Sequence, residues 1–397
     1  MSSPDRTSRT YLMITACAGT FAFGTLVAFL GSTLPELRAK LGFGMEQSGT
    51  LFSLLFFPQI PMAILAGPVI DRFGKKPVLV AGSLLAAIVL AIITTATSYA
   101  MLATLVFILG LGASCINSGA NTLVPDLYPE NPSSALNLAS ASFSLGTVGV
   151  PLVITLLAHR FGVGAALLLV AALNAVPGLL SLTQTFPHGL SKGGLNVGII
   201  GRALLNPAII LLALVFMLYS SLEVSTGGWL RTYLEQEFSV SAAKSSTILA
   251  VFFALMMVGR LIGSEITKRM RGSLLILACA AGAIVGLTFL ALAWNVNVAI
   301  AAAVVCGLCY APIFPTAAGI ASTYFPEIFG TIFGVLMACA FVGNITLPAA
   351  IGFVARNSPV RTGIWLIAGS AVILFVVQTI FVRQERVHPP GMAVPSK

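Results

Sequence analysis

Apolar runs about 20 residues long follow one another through almost the whole chain, and the charged residues stand between them. That is the length a helix needs to cross the hydrocarbon core of a bilayer. Of all residues, 57% are hydrophobic and only 8% charged, where a soluble domain carries about 25% charged. A water-facing fold could not hide that much apolar surface, so lipid must be the solvent for much of it. In lipid every backbone N–H and C=O must find a partner inside the protein, and a helix does this without help from another segment. The expected fold is therefore an all-α membrane protein.

A 20-residue ruler places twelve spanning helices, near 11–30, 48–69, 77–96, 100–124, 136–157, 163–184, 207–231, 244–266, 273–294, 298–322, 329–354 and 361–382. The first run follows a polar N-terminus, and no small-residue cleavage site comes after it. It reads as a retained span and not as a signal peptide. The longest polar stretch, with His188, Ser191 and Lys192, separates the sixth span from the seventh. It divides the chain into an N-terminal six-helix bundle over 1–184, a cytoplasmic linker over 185–206, and a C-terminal six-helix bundle over 207–397 that ends in a short tail.

Orientation follows from the basic residues of the loops. With both termini in the cytoplasm, the inside holds 14 of the 21 Lys and Arg, among them Arg72, Lys75, Lys268 and Arg383. The outside holds 7, among them Arg38, Arg160, Arg231 and Arg361. The net charge of +9 is scattered over helix ends with no stripe or cluster, which gives no footprint for nucleic acid. The six cysteines all fall inside apolar runs and read as buried free thiols. Short loops and small size point to a multi-pass protein of a bacterial cytoplasmic (inner) membrane, working as a monomer in the lipid bilayer.

The two halves echo each other at an offset near 197 residues. Gly110-Leu-Gly-Ala-Ser-Cys lines up with Gly307-Leu-Cys-Tyr-Ala-Pro, and the segment ending at Pro151 lines up with the one ending at Pro348. The loop opening at Gly67 lines up with that opening at Gly263. The matches keep order and spacing. Two similar six-helix halves imply an axis along the membrane normal and a central site between them.

The loop after the second span reads Gly67-Pro-Val-Ile-Asp71-Arg72-Phe-Gly74-Lys75-Lys76-Pro77. Gly67 lets helices approach closely. Asp71 closes one helix and can face the positive N-terminus of another. Arg72 can pair with it or with a neighbouring carboxylate, Gly74 supplies the turn, and Lys75 and Lys76 anchor the inner face. An ordinary basic turn would need less. The sequence resembles the loop signature of the major facilitator superfamily. That resemblance implies twelve transmembrane helices in two pseudo-symmetric six-helix bundles, with this cluster holding a cytoplasmic gate away from substrate.

Within that superfamily, Ala120–Asn121, Leu136–Ala139, Gly146 with Pro151, Phe314-Pro315-Thr316 and Gly343–Ala355 resemble the fucose/hexose–proton symporter branch. The departures matter as much. Helix 1 has no Asp, Glu, Asn or Gln between Tyr11 and Leu30, and Asn117 stands where the branch has its helix 4 acid. A Gln and an Asn of the branch's helix 5 fall on Ser140 and Phe143. Of the residues considered, Asn121 is the one that carries over.

Nearly all twelve acids lie in loops or at helix ends, but Glu223 lies well inside span seven. A carboxylate at that depth costs a few kcal/mol at least unless it faces a cavity or a partner. Glu223 is thus the candidate site for a proton or a cation such as sodium. A structural Glu bonded to a neighbouring helix is the other reading. Gly227 and Gly228 mark either a bend or tight helix packing. Trp229 is either an aromatic-belt anchor or a platform for a sugar ring. Gln59, Asn117, Asn121, Tyr219, Tyr310 and Asn344 put amides and phenols at membrane depth. Such groups suit a hydroxylated ligand and equally suit helix–helix hydrogen bonds. Asn117 and Asn121, at i and i+4, share a helix face. Arg260, near the inner end of span eight, is grouped with Glu265 and Lys268 in an inner gate. A substrate role for it would imply an anionic ligand.

No phosphate loop, metal cluster or nucleophile–base pair is present in the sequence, so neither an enzyme nor a cofactor is called for. The first expectation is a secondary active transporter moving a small-molecule polar solute of the sugar type, coupled at Glu223. A proton-coupled efflux antiporter for amphiphilic compounds and a passive uniporter remain as alternatives.

Overall fold

The computed structural model describes residues 6–187, 201, 203–355 and 358–387. Most of the expected linker, including His188, Ser191 and Lys192, lies outside the described residues, as do Arg356 and the tail from His388 onward.

The described residues form fourteen α-helices, one short 3-10 turn and no strand. The first seven are α1 (Arg6–Leu41), α2 (Met45–Phe56), α3 (Gln59–Phe73), α4 (Lys75–Ile93), α5 (Tyr99–Leu127), α6 (Pro132–Phe161) and α7 (Val163–Thr183). The others are α8 (Pro207–Phe238), α9 (Ala242–Ile266), α10 (Gly272–Ala291), α11 (Val296–Tyr310), α12 (Ile313–Tyr324), α13 (Phe329–Val354) and α14 (Val360–Val387). Eleven stretches are long and apolar enough to cross a membrane, one of them made by α2 with α3 and another by α11 with α12. The 30-residue α6 is long enough to make a twelfth.

The two broken spans break at prolines. Pro58 and Pro312 lack the N–H that would bond back one turn, so each interrupts a helix that the apolar ruler counts as one. At the first break the Gln59 side chain donates from Nε2 to the Leu55 carbonyl at 3.0 Å. At the second, Gly259 lies against the Leu308 carbonyl, where a Cβ would come within 2.8 Å. Several helices extend past the expected span ends. α1 runs on to Leu41, and Gly42 follows at a φ of +69°. Polar residues beyond the apolar run stay helical until a residue that leaves the helical region ends it.

N-caps follow the sequence closely. Ser98, Asn206 and Asn295 accept from the backbone N–H of Met101, Ala208 and Val298, and Pro207 occupies the first helical position. Each satisfies a donor that would otherwise be orphaned. The six cysteines are free.

The chain divides into two compact units. The first holds Met1–Tyr128, Ser142–Asn196 and Glu327–Ala338; the second holds Pro129–Ala141, Val197–Pro326 and Cys339–Lys397. The opening turns of α6 therefore belong to the second unit and those of α13 to the first. Inside each unit the same helix pairs recur: α4 packs on α5 and α7, as α10 packs on α11 and α14. Likewise α1 packs on α7, as α8 packs on α14. This is the sequence repeat expressed as packing.

Candidate functional site

The second unit gathers charge at membrane depth. α8 and α9 are antiparallel neighbours joined by a turn of three residues, Ser239 to Ser241, with Ser239 in the left-handed region at φ 51°. Residues at similar distances from that turn come side by side, which brings Arg260 to Glu223. Arg260 Nη2 lies 3.5 Å from Glu223 Oε1, with the two side chains 3% and 19% exposed. Arg260 Nη1 also donates to the backbone carbonyl of Ser140 at 2.9 Å. Removing one partner of a pair this buried costs about 3–5 kcal/mol, because the other charge is left without compensation.

An aromatic wall stands beside the pair. Tyr219, one turn before Glu223 on α8, is fully buried and stacks on Phe314, with ring centroids 6.2 Å apart and an interplanar angle of 29°. Phe216 meets the same ring at 5.0 Å. The Tyr219 hydroxyl is within electrostatic reach of both Glu223 and Arg260 but makes no hydrogen bond of good geometry. The next turn of α8 carries Thr226, whose hydroxyl bonds the Tyr310 hydroxyl at 3.1 Å. Gly227 rests against the Phe253 ring, whereas a Cβ on Gly228 would meet nothing within 4 Å; α8 continues as a helix through both, so the pair marks no break and Gly227 alone serves packing. Trp229 lies across Gly352 of α13. Asn344, also on α13, is half-buried, and its Oδ1 has no partner in the protein.

Arg260 is thus placed differently from the sequence expectation. It does not group with Glu265 and Lys268, which pair with each other. A guanidinium always carries its charge, and the acid within its reach is on the neighbouring antiparallel helix. An opposite charge at the same depth on the next helix was the signal that could have found this pair.

The first unit carries amides. Asn121 Nδ2 donates to both Asn117 Oδ1 (2.8 Å) and the Asn117 backbone carbonyl (2.9 Å). Both residues are buried, and the Asn121 Oδ1 has no protein partner. Gln59 is held in the helix break, its backbone carbonyl accepting from Ser114 Oγ at 3.3 Å and its Oε1 unpartnered.

The same unit contains the loop cluster. Asp71 is buried and accepts from Gly330 N at 2.8 Å, Thr331 N at 2.7 Å and Thr331 Oγ1 at 2.5 Å. Gly330 and Thr331 open α13, so the carboxylate sits on the positive end of that helix. Gly67 makes room for this: a Cβ there would lie 2.6 Å from the Gly330 carbonyl oxygen and the Thr331 Cα. Gly74, at φ +86°, turns the chain from α3 into α4. Lys75 pairs with Asp126, and Lys76 donates to the Leu182 and Gln184 carbonyls at the end of α7. Arg72 is exposed, with its guanidinium 5.1 Å from the Phe73 ring centroid. Backbone N–H groups and the Thr331 hydroxyl, not Arg72, meet Asp71. Sequence reasoning missed Gly330, Thr331, Asp126 and Ser140, all far away in the chain.

Two compact units of apolar spanning helices, with an ion pair deep in a bundle and a carboxylate seated on a helix end, fit a membrane transporter. The sequence profile of the Major Facilitator Superfamily matches residues 16–299 and, in an overlapping match, 232–395. The chain belongs to the major facilitator superfamily. A glucose/galactose transporter of Brucella abortus is 26% identical over 324 residues, which cover 75% of this chain and 76% of that protein. The fold is shared with the fucose:proton symporter FucP of E. coli at a TM-score of 0.79 and 18% identity, covering 94% of this chain and 99% of that one. It is also shared with the proton:xylose symporter XylE bound to 6-bromo-6-deoxy-D-glucose, at a TM-score of 0.79 and 14% identity, covering 95% and 96%.

Proposed function

We propose that this transporter is a proton-coupled symporter of small hydroxylated solutes of the sugar type. It works by alternating access of an N-terminal bundle over 1–184 and a C-terminal bundle over 207–397, joined by a cytoplasmic linker over 185–206. Both termini are cytoplasmic, the membrane is a bacterial inner membrane, and the monomer is the working unit. The inward bias of Lys and Arg supports that orientation.

The observation that carries the reading is the Glu223–Arg260 pair. A carboxylate kept at membrane depth beside a permanent cation is a place where a proton can be taken up and given back. The guanidinium 3.5 Å away repels a sodium ion, whereas a proton neutralises the carboxylate outright. That favours the proton over other cations. The names of the relatives, a glucose/galactose transporter and two sugar–proton symporters, support a polyhydroxylated solute. Gln59, Asn121, Tyr219 and Asn344 keep buried polar atoms without a protein partner and are the residues best suited to meet solute hydroxyls. Asn117 holds the Asn121 amide, and Tyr310 and Trp229 are further candidates for solute contact. Asp71, Gly67, Arg72, Gly74 and Lys75 serve a cytoplasmic gate.

The test is uptake of radiolabelled glucose and galactose into proteoliposomes, with an imposed proton gradient, an imposed sodium gradient, or neither. Wild type should accumulate solute with the proton gradient alone. Glu223→Gln should lose accumulation and keep exchange. Accumulation unchanged in Glu223→Gln removes Glu223 from the coupling step, and equilibration without accumulation in wild type makes the protein a uniporter.

A further inference from the structure

We infer that Tyr219 is the residue through which proton and solute sense each other. Its hydroxyl turns to Glu223 while that carboxylate is ionised, and to an oxygen of the solute once Glu223 is protonated. The solute is then a neutral one that offers an acceptor oxygen at that point. The inference rests on proton uptake at Glu223 and deepens that reading.

Tyr219 and Glu223 stand at i and i+4 on α8, on one face of the helix. The phenol is buried, and its hydroxyl lies beside both members of the Glu223–Arg260 pair. Yet it is hydrogen-bonded to no group among the described residues. A buried hydroxyl left in that state is costly, which marks it for a partner that comes and goes. The ring itself is held. It stacks on Phe314 at 6.2 Å, and Phe216 meets that same Phe314 ring at 5.0 Å. What can still move is the hydroxyl hydrogen, which swings about a single C–O bond.

An ionised carboxylate only accepts, so the phenol hydrogen is drawn to Glu223. A protonated Glu223 has a hydrogen of its own to place. The guanidinium beside it at 3.5 Å offers only donors, whereas the phenol oxygen one turn back can accept. That oxygen takes the acid's hydrogen, and the phenol hydrogen turns away from Glu223. The proton taken up comes from solution, and Tyr219 keeps its own throughout. Arg260 keeps its charge in both states, and its contact with the Ser140 carbonyl at 2.9 Å does not depend on Glu223. A solute oxygen and an ionised Glu223 thus compete for one hydrogen. Solute binding favours the proton, and the proton favours the solute by the same factor. A sugar hydroxyl, a ring oxygen or a carbonyl can take that hydrogen; an ammonium group, which only donates, cannot.

The other titratable groups on the helices around α8 do not enter this competition. Tyr310 of α11 is bonded to Thr226, and Cys306 and Cys309 on the same helix are free thiols. On α9, Lys244 lies near the start and Glu265 near the end, paired with Lys268. Arg361 of α14 pairs with Glu237, near the end of α8, while Arg383, Glu385 and Arg386 lie at the other end of α14. Tyr324 closes α12 against Phe381. α13 meets α8 where Gly343 faces the Met217 carbonyl, and brings Cys339.

The test uses purified full-length protein in detergent and begins without solute. Infrared difference spectra across a pH titration should show a protonated-carboxyl band that is absent in Glu223→Gln. A tyrosine C–O band, absent in Tyr219→Phe, should change with the same midpoint as the hydroxyl reverses its role, and should stay constant in Glu223→Gln. Glucose and galactose are then titrated calorimetrically in buffers of different ionisation enthalpy. Wild type should bind either sugar about tenfold more tightly with Glu223 protonated than ionised, and should take up a proton on binding. Tyr219→Phe, which keeps the ring, should still show the Glu223 band, but its sugar affinity should change by less than about twofold over the same pH range. A tyrosine band that holds still while Glu223 titrates would overturn the switch, whatever the solute. Proton uptake with sugar that is as large in Tyr219→Phe as in wild type would also overturn it, while leaving proton coupling at Glu223 intact. The absence of a Glu223 band at every pH, or sugar binding by wild type without proton uptake, would overturn both. Failure of both sugars to bind would remove them as solutes, and the two infrared bands would still decide the switch.

Discussion

Two helix crossings, one in each unit, solve the same packing problem with different chemistry. In the first unit the end of α3 meets the opening turns of α13; in the second the end of α9 meets the opening turns of α6. The sequence offset near 197 residues relates them: Gly67 corresponds to Gly263, Asp71 to Thr267, and Thr331 to Ser134. Each crossing depends on a glycine. A Cβ on Gly67 would collide with backbone of α13, and one on Gly263 would lie 2.5 Å from Pro312 Cβ and 2.9 Å from Asn137 Oδ1. Beyond the glycine the two diverge. The first crossing is held by a carboxylate on a helix N-terminus. At the level of Gly263 the second is held by neutral groups, Ser134 with Ser264 at 3.0 Å and, beside it, Asn137 Nδ2 on Thr316 Oγ1 at 2.8 Å, with the Arg260 guanidinium donating to the Ser140 carbonyl a turn away. Close approach is thus what the duplicated architecture requires, and a carboxylate on a helix N-terminus is an addition made on one side only.

The largest expected effect tests that addition. Asp71→Ala removes three acceptor bonds and the charge that faces the helix end. Hydrogen bonds to a charged group are worth about 1.5–3 kcal/mol each and do not add in full, so a net loss of about 3 kcal/mol is expected. It should appear as a lower midpoint of unfolding in a mild-detergent denaturation series, together with a several-fold loss of transport. Thr267→Ala, at the corresponding place in the second unit, should cost no more than about 1 kcal/mol. Equal losses at the two positions would mean that the charge contributes nothing of its own.

Much of this architecture could be read before any coordinates, and the parts that could not share a physical cause. The spans were legible because lipid enforces a length and a composition on any helix that crosses it. Gly67, Asp71 and Gly74 were legible because a tight approach, a helix-end anion and a positive φ each need a particular residue type. Their partners Gly330 and Thr331 were not, since backbone N–H groups carry no sequence signal and lie about 260 residues away. Glu223 stood out because an acid in an apolar run is an anomaly. Arg260 was drawn to the wrong neighbours because linear proximity to Glu265 and Lys268 looked stronger than the antiparallel geometry of α8 and α9. The breaks at Pro58 and Pro312 were passed over because hydropathy averages over a proline, whereas the backbone cannot.

The second effect probes the shared requirement. Gly67→Ala places a methyl carbon 2.6 Å from the Gly330 carbonyl oxygen and the Thr331 Cα, both backbone, with no flexible side chain to move aside. Overpacking of this kind costs about 1–3 kcal/mol. Gly263→Ala meets the Pro312 ring at 2.5 Å and the Asn137 amide at 2.9 Å; the ring is rigid, and the amide is held by two hydrogen bonds of its own. It should therefore cost about as much as Gly67→Ala in the same unfolding series. A much smaller loss at Gly263 would show that the second crossing is the softer of the two.

The smallest effects lie within the second crossing and ask how its work is divided. Asn137 is fully buried and donates from Nδ2 to Thr316 Oγ1 at 2.8 Å and to the Ser133 carbonyl at 2.9 Å. Asn137→Ala should cost about 1–2 kcal/mol, because Thr316 loses a buried partner. Ser134→Ala breaks one hydroxyl contact to Ser264 and should cost about 1 kcal/mol or less. A double-mutant cycle on Ser134 and Ser264 should return a coupling of about 0.5 kcal/mol, and one on Asp71 and Thr331 a coupling several times larger. If the carboxylate's charge is the difference between the crossings, the second coupling should fall when Asp71→Asn replaces Asp71 as the reference, while the Ser134–Ser264 coupling stays where it was. A neutral amide at position 71 that kept the full coupling would place the strength of the first crossing in its geometry alone, and the two crossings would then be equivalent in kind.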